Sequence, residues 1–252
     1  MPIFDGDRLT LTRITIPVPS LPQPLRRLVV CHISDLHVNG PSRLLDAVVE
    51  AVEREAPHAV CITGDLVWRQ SSIEEDVIPL LSAMKAALGI YAVPGNWEHR
   101  GCVPLWRLRK RLSDVPVTLL MNENRIVEFD GHRIAIVGLD DPSTLHHDIE
   151  RATEGVQDAT LRIALAHSPE VASEIAGRGI HLLLAGHTHG GQILLPPLPP
   201  FWLRLFNKSA ISGLHWVGPM PMYVSRGVGA VGPLPRRLFC PPEIAFIRFV
   251  SA

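Results

Sequence analysis

Residues 25–67 read LRRLVVCHISDLHVNGPSRLLDAVVEAVEREAPHAVCITGDLV. Two short apolar runs flank one amphipathic stretch in which Leu44, Leu45, Val48, Ala51 and Val52 recur at helical spacing. Apolar runs of this length read as buried strands, so the segment reads as strand, helix, strand. Such a unit implies parallel strands with the helix laid on the sheet. Both runs end in residues that a buried strand does not need: Asp35 and His37 after the first, Asp65 after the second.

The pattern recurs on either side of this stretch. IEEDVIPLLSAMKAA (73–87) places Val77, Leu80, Leu81 and Met84 at helical spacing and predicts a second helix. LGIYAVPGNWEHR (88–100) ends an apolar run at Asn96, and LRIALAHSPE (161–170) ends one at His167. LLLAGHTHGGQILLPP (182–197) delivers His187 and His189 and then breaks into glycine. Any one of these residues, alone, reads as a cap or a loop group. Seven of them at the ends of five strands predict one shared site, because ligands of open α/β sheets bind beyond the carboxyl ends of the strands.

The second half adds a hairpin. In TLLMNENRIVEFDGHRIAIVGLDD (118–141), Asp130-Gly131 separates two runs of alternating polarity, a strong turn signal. RLTLTRITI (8–16), MYVSRG (222–227) and EIAFIRFV (243–250) also read as extended. The expected architecture is α/β: two sheets packed face to face with helices outside, in one domain spanning 1–252. Asp140 and Asp141 end a strand near the predicted rim and are read as turn residues.

Composition narrows the function. With 46% hydrophobic residues and a formal net charge of −1, the chain shows no general attraction to nucleic acid or anionic membrane. The one basic cluster, Arg107, Arg109, Lys110 and Arg111, reads as a solvated helix face. Cys31 and Cys61 lie inside strand-like runs and no C-x-x-C pair occurs, so a disulfide framework is not indicated and a reducing compartment fits. The first residues alternate in polarity and show neither a secretory signal nor a span, so the expected location is the cytoplasm. HISDLH stands where a dinucleotide-binding fold would need G-x-G-x-x-G, which removes that class.

Asp, Asn and His together suit manganese, iron or zinc better than calcium or magnesium. Two such ions about 3.5–4 Å apart share one carboxylate, and Asp65 is the natural bridge. A pair of this kind turns a bridging water into hydroxide near neutral pH and neutralises charge on a phosphoryl group, so no protein nucleophile is required. Hydrolysis of a phosphate ester or pyrophosphate bond is therefore expected. A binding scaffold on the same fold is the competing class, and its expected mark, missing ligands, is not found among the seven.

Asp35-Leu36-His37, Gly64-Asp65, Gly95-Asn96, His167 and Gly186-His187-Thr188-His189 resemble, in order and approximate spacing, the sequence blocks of the calcineurin-like metallophosphoesterases, over roughly residues 29–192. The resemblance implies a β-sandwich flanked by helices. It implies one ion held by Asp35, His37, Asp65 and His189, and a second by Asp65, Asn96, His167 and His187. The continuation GHTHGGQ is similar to a bacterial subgroup that includes membrane-associated enzymes, some of which cleave UDP-diacylglucosamine. The resemblance thus implies a phosphorylated or lipid-linked substrate and peripheral membrane contact as partners. The chain departs from the family at Gly95-Asn96-Trp97-Glu98, where a histidine usually follows the asparagine and acts near the leaving group. Trp97 has no proton to give at neutral pH; His99 is the candidate substitute, and Trp97 is a candidate for stacking on substrate. Beside the site, ILLPPLPPFWLRLF (193–206) is apolar and proline-rich, and is read as an acyl-chain, membrane or dimer contact, or as a loop folded on the core.

Overall fold

The computed structural model describes residues 8–68, 72–100, 104–194, 211–232 and 236–252. The strands of the first sheet are β1 (Thr10–Val18), β2 (Val29–Ile33), β3 (Ala59–Thr63), β4 (Ile90–Val93) and β5 (Val117–Leu119). Those of the second are β6 (Glu123–Phe129), β7 (His132–Gly138), β8 (Leu161–Leu165), β9 (Leu182–Ala185), β10 (Gly213–Val217) and β11 (Met220–Val224). The last strand, β12 (Glu243–Ser251), returns to the first sheet. The orders are β1-β12-β2-β3-β4-β5 and β10-β11-β9-β8-β7-β6.

The unit of residues 25–67 forms as expected. Helix α1 (Arg43–Glu55) links β2 to β3, which pair in parallel with Val30 opposite Ala59. Ser42 caps α1 by accepting the Leu44 N–H, satisfying one of the donors that a helix start leaves open. The second expected helix differs. Residues Ile73–Val77 form a wide turn before helix α2 (Ile78–Ala83), and the Ile78 N–H reaches back to the Ile73 carbonyl. Pro79 explains the wide turn: its ring has no N–H to give and crowds the preceding turn, which the looser spacing relieves. The Asp130-Gly131 hairpin joins β6 and β7 with both turn residues at positive φ, 48° and 75°.

Three buried clusters separate four layers. Leu45, Val48 and Val52 of α1, with Leu81 of α2 and Leu108 and Leu112 of α4 (Leu105–Leu112), cover the outer face of the first sheet. Ile163, Leu182, Leu184, Val30, Cys61 and Ile247 fill the space between the sheets. Leu183, Ala185 and Val137 face outward against Ala152 and Ile175, which lie on the short helices α5 (Ile149–Ala152) and α6 (Ala172–Ile175). Strand β9 shows the cause: its alternate residues feed two different cores, so the whole strand must be apolar. The basic residues of α4 lie on its exposed side, and the three arginines are paired with acids: Arg107 with Glu74, Arg109 with Glu123, Arg111 with Asp114.

Candidate metal centre

Five parallel strands end at one edge of the two sheets, and each releases its polar residues there. Asp35 and His37 follow β2, Asp65 follows β3, and His167 follows β8. His187 and His189 follow β9, and Asn96 begins the one-turn helix α3 (Asn96–His99) after β4. Asp35, His37, Asp65, His187 and His189 all have φ between 44° and 70°, a left-handed region that non-glycine residues seldom adopt. Such strain persists where surrounding structure imposes it, and it clusters at functional sites. Here the sharp turns swing the side chains back over the strand ends. Gly186 lets this happen, since a Cβ there would collide with Ser34 Oγ and lie 2.5 Å from Asp35 Oδ2.

The side chains converge in two groups that meet at Asp65. Donor atoms of Asp35, His37, Asp65 and His189 all lie within 4.8 Å of one another, and all four residues are buried. His37 Nε2 faces His189 Nε2 at 3.2 Å, and His189 Nε2 lies 3.4 Å from Asp35 Oδ1. In the other group His167 Nε2 lies 3.0 Å from Asn96 Oδ1 and 3.1 Å from His187 Nδ1. One oxygen joins them: Asp65 Oδ2 is 3.4 Å from both His37 Nε2 and His167 Nε2.

This donor set fits divalent cations. Two imidazole nitrogens facing each other near 3 Å can share at most one proton, so lone pairs are left aimed at a common point. His167 Nδ1 lies 2.9 Å from the Thr63 carbonyl, which takes its N–H and frees Nε2 for a cation. Burial and the Asp65 carboxylate push the Asp35 carboxyl above its usual range, whereas the His167 and His37 imidazoles hold Asp65 below it in spite of burial. Burial holds His37 and His189 below theirs, the state a ligand needs.

Several supporting residues were missed by the sequence reading. Glu98, 1% exposed, accepts the backbone N–H groups of Asp65 (2.9 Å), Gly95 (2.7 Å) and Val67 (3.1 Å). The available signal was an acid at the third position of a helix, where it reaches back to the backbone before the first turn. The Trp97 N–H occupies the other Asp65 oxygen at 2.9 Å, and Ser34 Oγ donates to Asp35 Oδ2 at 2.6 Å.

The other predicted residues have definite places. Trp97 packs against Trp68 with ring centroids 4.4 Å apart; both rings stand edge-on to His37, and the Arg100 guanidinium lies 4.8 Å from the Trp97 ring. His99 Nε2 is 2.7 Å from Asp140 Oδ1, and its ring stacks on His146. Asp140, read as a turn residue, is therefore also the partner of His99, while Asp141 caps the turn Pro142–Thr144. Of the apolar stretch 193–206, residues 195–206 lie outside the described residues; Ile193 bridges to Leu238.

The sequence profile of the calcineurin-like phosphoesterases matches residues 28–191. A Bacillus subtilis (strain 168) protein described as the uncharacterised metallophosphoesterase YkuE is 29% identical over 245 residues, covering 95% of this chain and 85% of its own. A Bos taurus transmembrane protein with a metallophosphoesterase domain is 33% identical, covering 93% of this chain and 55% of its own. The fold resembles that of NAD nucleotidase from Haemophilus influenzae, with a TM-score of 0.55 at 18% identity over 81% of this chain and 46% of that one. The chain thus spans about half the length of the bovine protein and of the nucleotidase. Because the matched segment opens on the strand that leads to Asp35 and runs through the loop of His187 and His189, the chain belongs to the calcineurin-like phosphoesterases, metal-dependent hydrolases of phosphoesters.

Proposed function

We propose that this protein cleaves a phosphate ester or pyrophosphate bond with two divalent ions of manganese, iron or zinc. Asp35, His37, Asp65 and His189 would hold one, and Asp65, Asn96, His167 and His187 the other. The observation that carries the reading is the Asp65 oxygen equidistant from an imidazole of each group. When bound, the ions supply Lewis acidity toward the phosphoryl oxygens and an activated water. The chain's own part is to aim its ligands, through Thr63, Glu98 and Ser34, above a buried floor.

His99 is the proposed proton source for the leaving group in place of the histidine that Trp97 replaces. Asn96 and His99 are three residues apart on one helical turn and share a face, and the Asp140 carboxylate fixes the ring. Trp97, with Trp68 beside it, is the proposed surface for an aromatic or otherwise apolar part of the substrate. A lipid-linked pyrophosphate is included as a substrate class because the apolar stretch 193–206 leaves directly from the His189 loop. Contact with membrane is then peripheral and the location cytoplasmic; among the described residues no helix is long and apolar enough to cross a membrane.

The test is the initial rate of manganese-reconstituted protein on p-nitrophenyl phosphate, bis-p-nitrophenyl phosphate and a UDP-linked lipid pyrophosphate, beside an EDTA-treated control. A metal-dependent rate on one of them is expected and fixes the bond class. No metal-dependent rate on any would replace the enzyme reading with that of a scaffold. His99→Asn should slow alkyl esters more than p-nitrophenyl esters, and equal slowing of both would remove His99 from the mechanism.

A further inference from the structure

Near its end the chain buries a cation. Arg237 is 1% exposed, and among the described residues no ion pair joins it to a carboxylate. Its guanidinium is satisfied by carbonyls instead. Nε and Nη2 donate to Gly229 O at 2.9 and 2.6 Å, Nη2 donates to Arg226 O at 2.7 Å, and Nη1 donates to His189 O at 3.2 Å. The planar fork of donors suits this task and the single point of a lysine does not.

Those carbonyls lie on two segments, one packed against the Asp35–His37 turn and the other carrying His189 itself. The loop of Arg226 to Gly229 lies under the segment that carries Asp35 and His37: Val228 N donates to Ser34 O at 3.0 Å, and Gly229 N to Asp35 O at 2.7 Å. The approach is close, since a Cβ at Gly229 would lie 2.5 Å from Leu36 O and 2.9 Å from His37 Cβ. On the other side the guanidinium holds the backbone of His189 itself. Its Nη2 also lies 3.4 Å from His189 Nδ1, too long to count as a strong bond. Among the described residues it makes no bond to Asn96 or His167; Glu98 instead accepts the N–H of Gly95, just before Asn96, and the Thr63 carbonyl lies 2.9 Å from His167 Nδ1.

We propose that Arg237 is a positioning residue for one ion of the pair, the one held by Asp35, His37, Asp65 and His189, by setting the distance between the Asp35–His37 segment and His189. This rests on the two-ion reading above. Removing an outer group that orients metal ligands weakens affinity about 10- to 100-fold. The loss should fall on that ion and spare the other.

The experiment measures, by chelator competition, the dissociation constants of both manganese ions in the wild type and in Arg237→Lys, together with the melting temperature of each protein after EDTA treatment. Two ions per wild-type chain are expected, with one bound about 10- to 100-fold more weakly in the variant and the other within about twofold. The metal-free melting temperatures should agree closely. Combined with His189→Ala the effect should be non-additive, and combined with His187→Ala additive. Arg237→Gln, which keeps a donor but no charge, provides the same reading if the lysine variant does not fold. Unchanged affinities, equal weakening of both ions, or additivity with His189→Ala would overturn the inference. A wild type that binds no ions would overturn the metal reading itself, and this inference with it.

Discussion

Glu98 allows the sharpest quantitative test of how the centre is built. It is buried, and its two oxygens accept three backbone N–H groups: Oε2 those of Asp65 and Gly95, Oε1 that of Val67. A buried donor left without a partner costs about 1–3 kcal/mol. Glu98→Gln retains one carbonyl oxygen for Asp65 and Gly95 but turns an NH2 group toward the Val67 N–H, so about 1–3 kcal/mol should be lost. Glu98→Ala strands all three donors and should lose at least about 3 kcal/mol, a large part of a usual stability of about 5–15 kcal/mol. Urea unfolding of the EDTA-treated wild type, Gln and Ala proteins measures this without any contribution from bound metal, with equal m-values as the check on two-state behaviour. Because the same bonds fix the turn at Asp65, both variants should also retain less manganese. An Ala variant within 1 kcal/mol of the wild type would refute the reasoning, since the three donors would then have found water, and Glu98 would not be what holds the loop.

Three further outcomes are expected. Asp65→Asn keeps an acceptor for the Trp97 N–H but presents an amide to His37 and His167, so elemental analysis should show both ions lost and turnover reduced by more than about 100-fold. Gly186→Ala forces a methyl group into Ser34 and Asp35, and should lower both the melting temperature and the metal content, whereas an alanine at the open turn of Gly155 should leave metal content unchanged. His181 accepts the Arg162 N–H at 3.0 Å, and burial with the Arg162 charge lowers its pKa from 6.5 to about 4. The folded protein keeps this ring neutral while the unfolded chain takes up a proton, so the stability it contributes is present above about pH 6.5 and lost as the pH falls toward 4. The wild-type and His181→Asn stability curves should converge over that window, and parallel curves would count against it.

Much of the molecule is written in local pattern. The spacing of Leu45, Val48 and Val52 predicts α1 because the exposed and buried sides of a helix repeat every 3.6 residues, and Asp130-Gly131 predicts its hairpin because few other pairs accept two positive φ angles. The uniformly apolar β9 predicts a strand with cores on both faces, and the polar residues that follow such strands mark the rim. Those features depend on neighbours in the chain, so the order of residues determines them.

Contacts distant in sequence decided the rest. That β12 inserts between β1 and β2 follows from packing of whole layers and leaves no local periodic signal. Residue type makes Asp65 the expected bridge, but only the fold places one of its oxygens 3.4 Å from histidines 28 residues before it and 102 after it. Nothing local marks Arg237 as buried, and the helix-start position of Glu98 does not reveal its depth, because the distant backbone donors and carbonyls that justify their burial carry no side-chain signature. The sequence thus determined which residues could serve the centre. The tertiary structure decided which atoms face one another, because distances across loops are set by the packing of elements that are far apart along the chain.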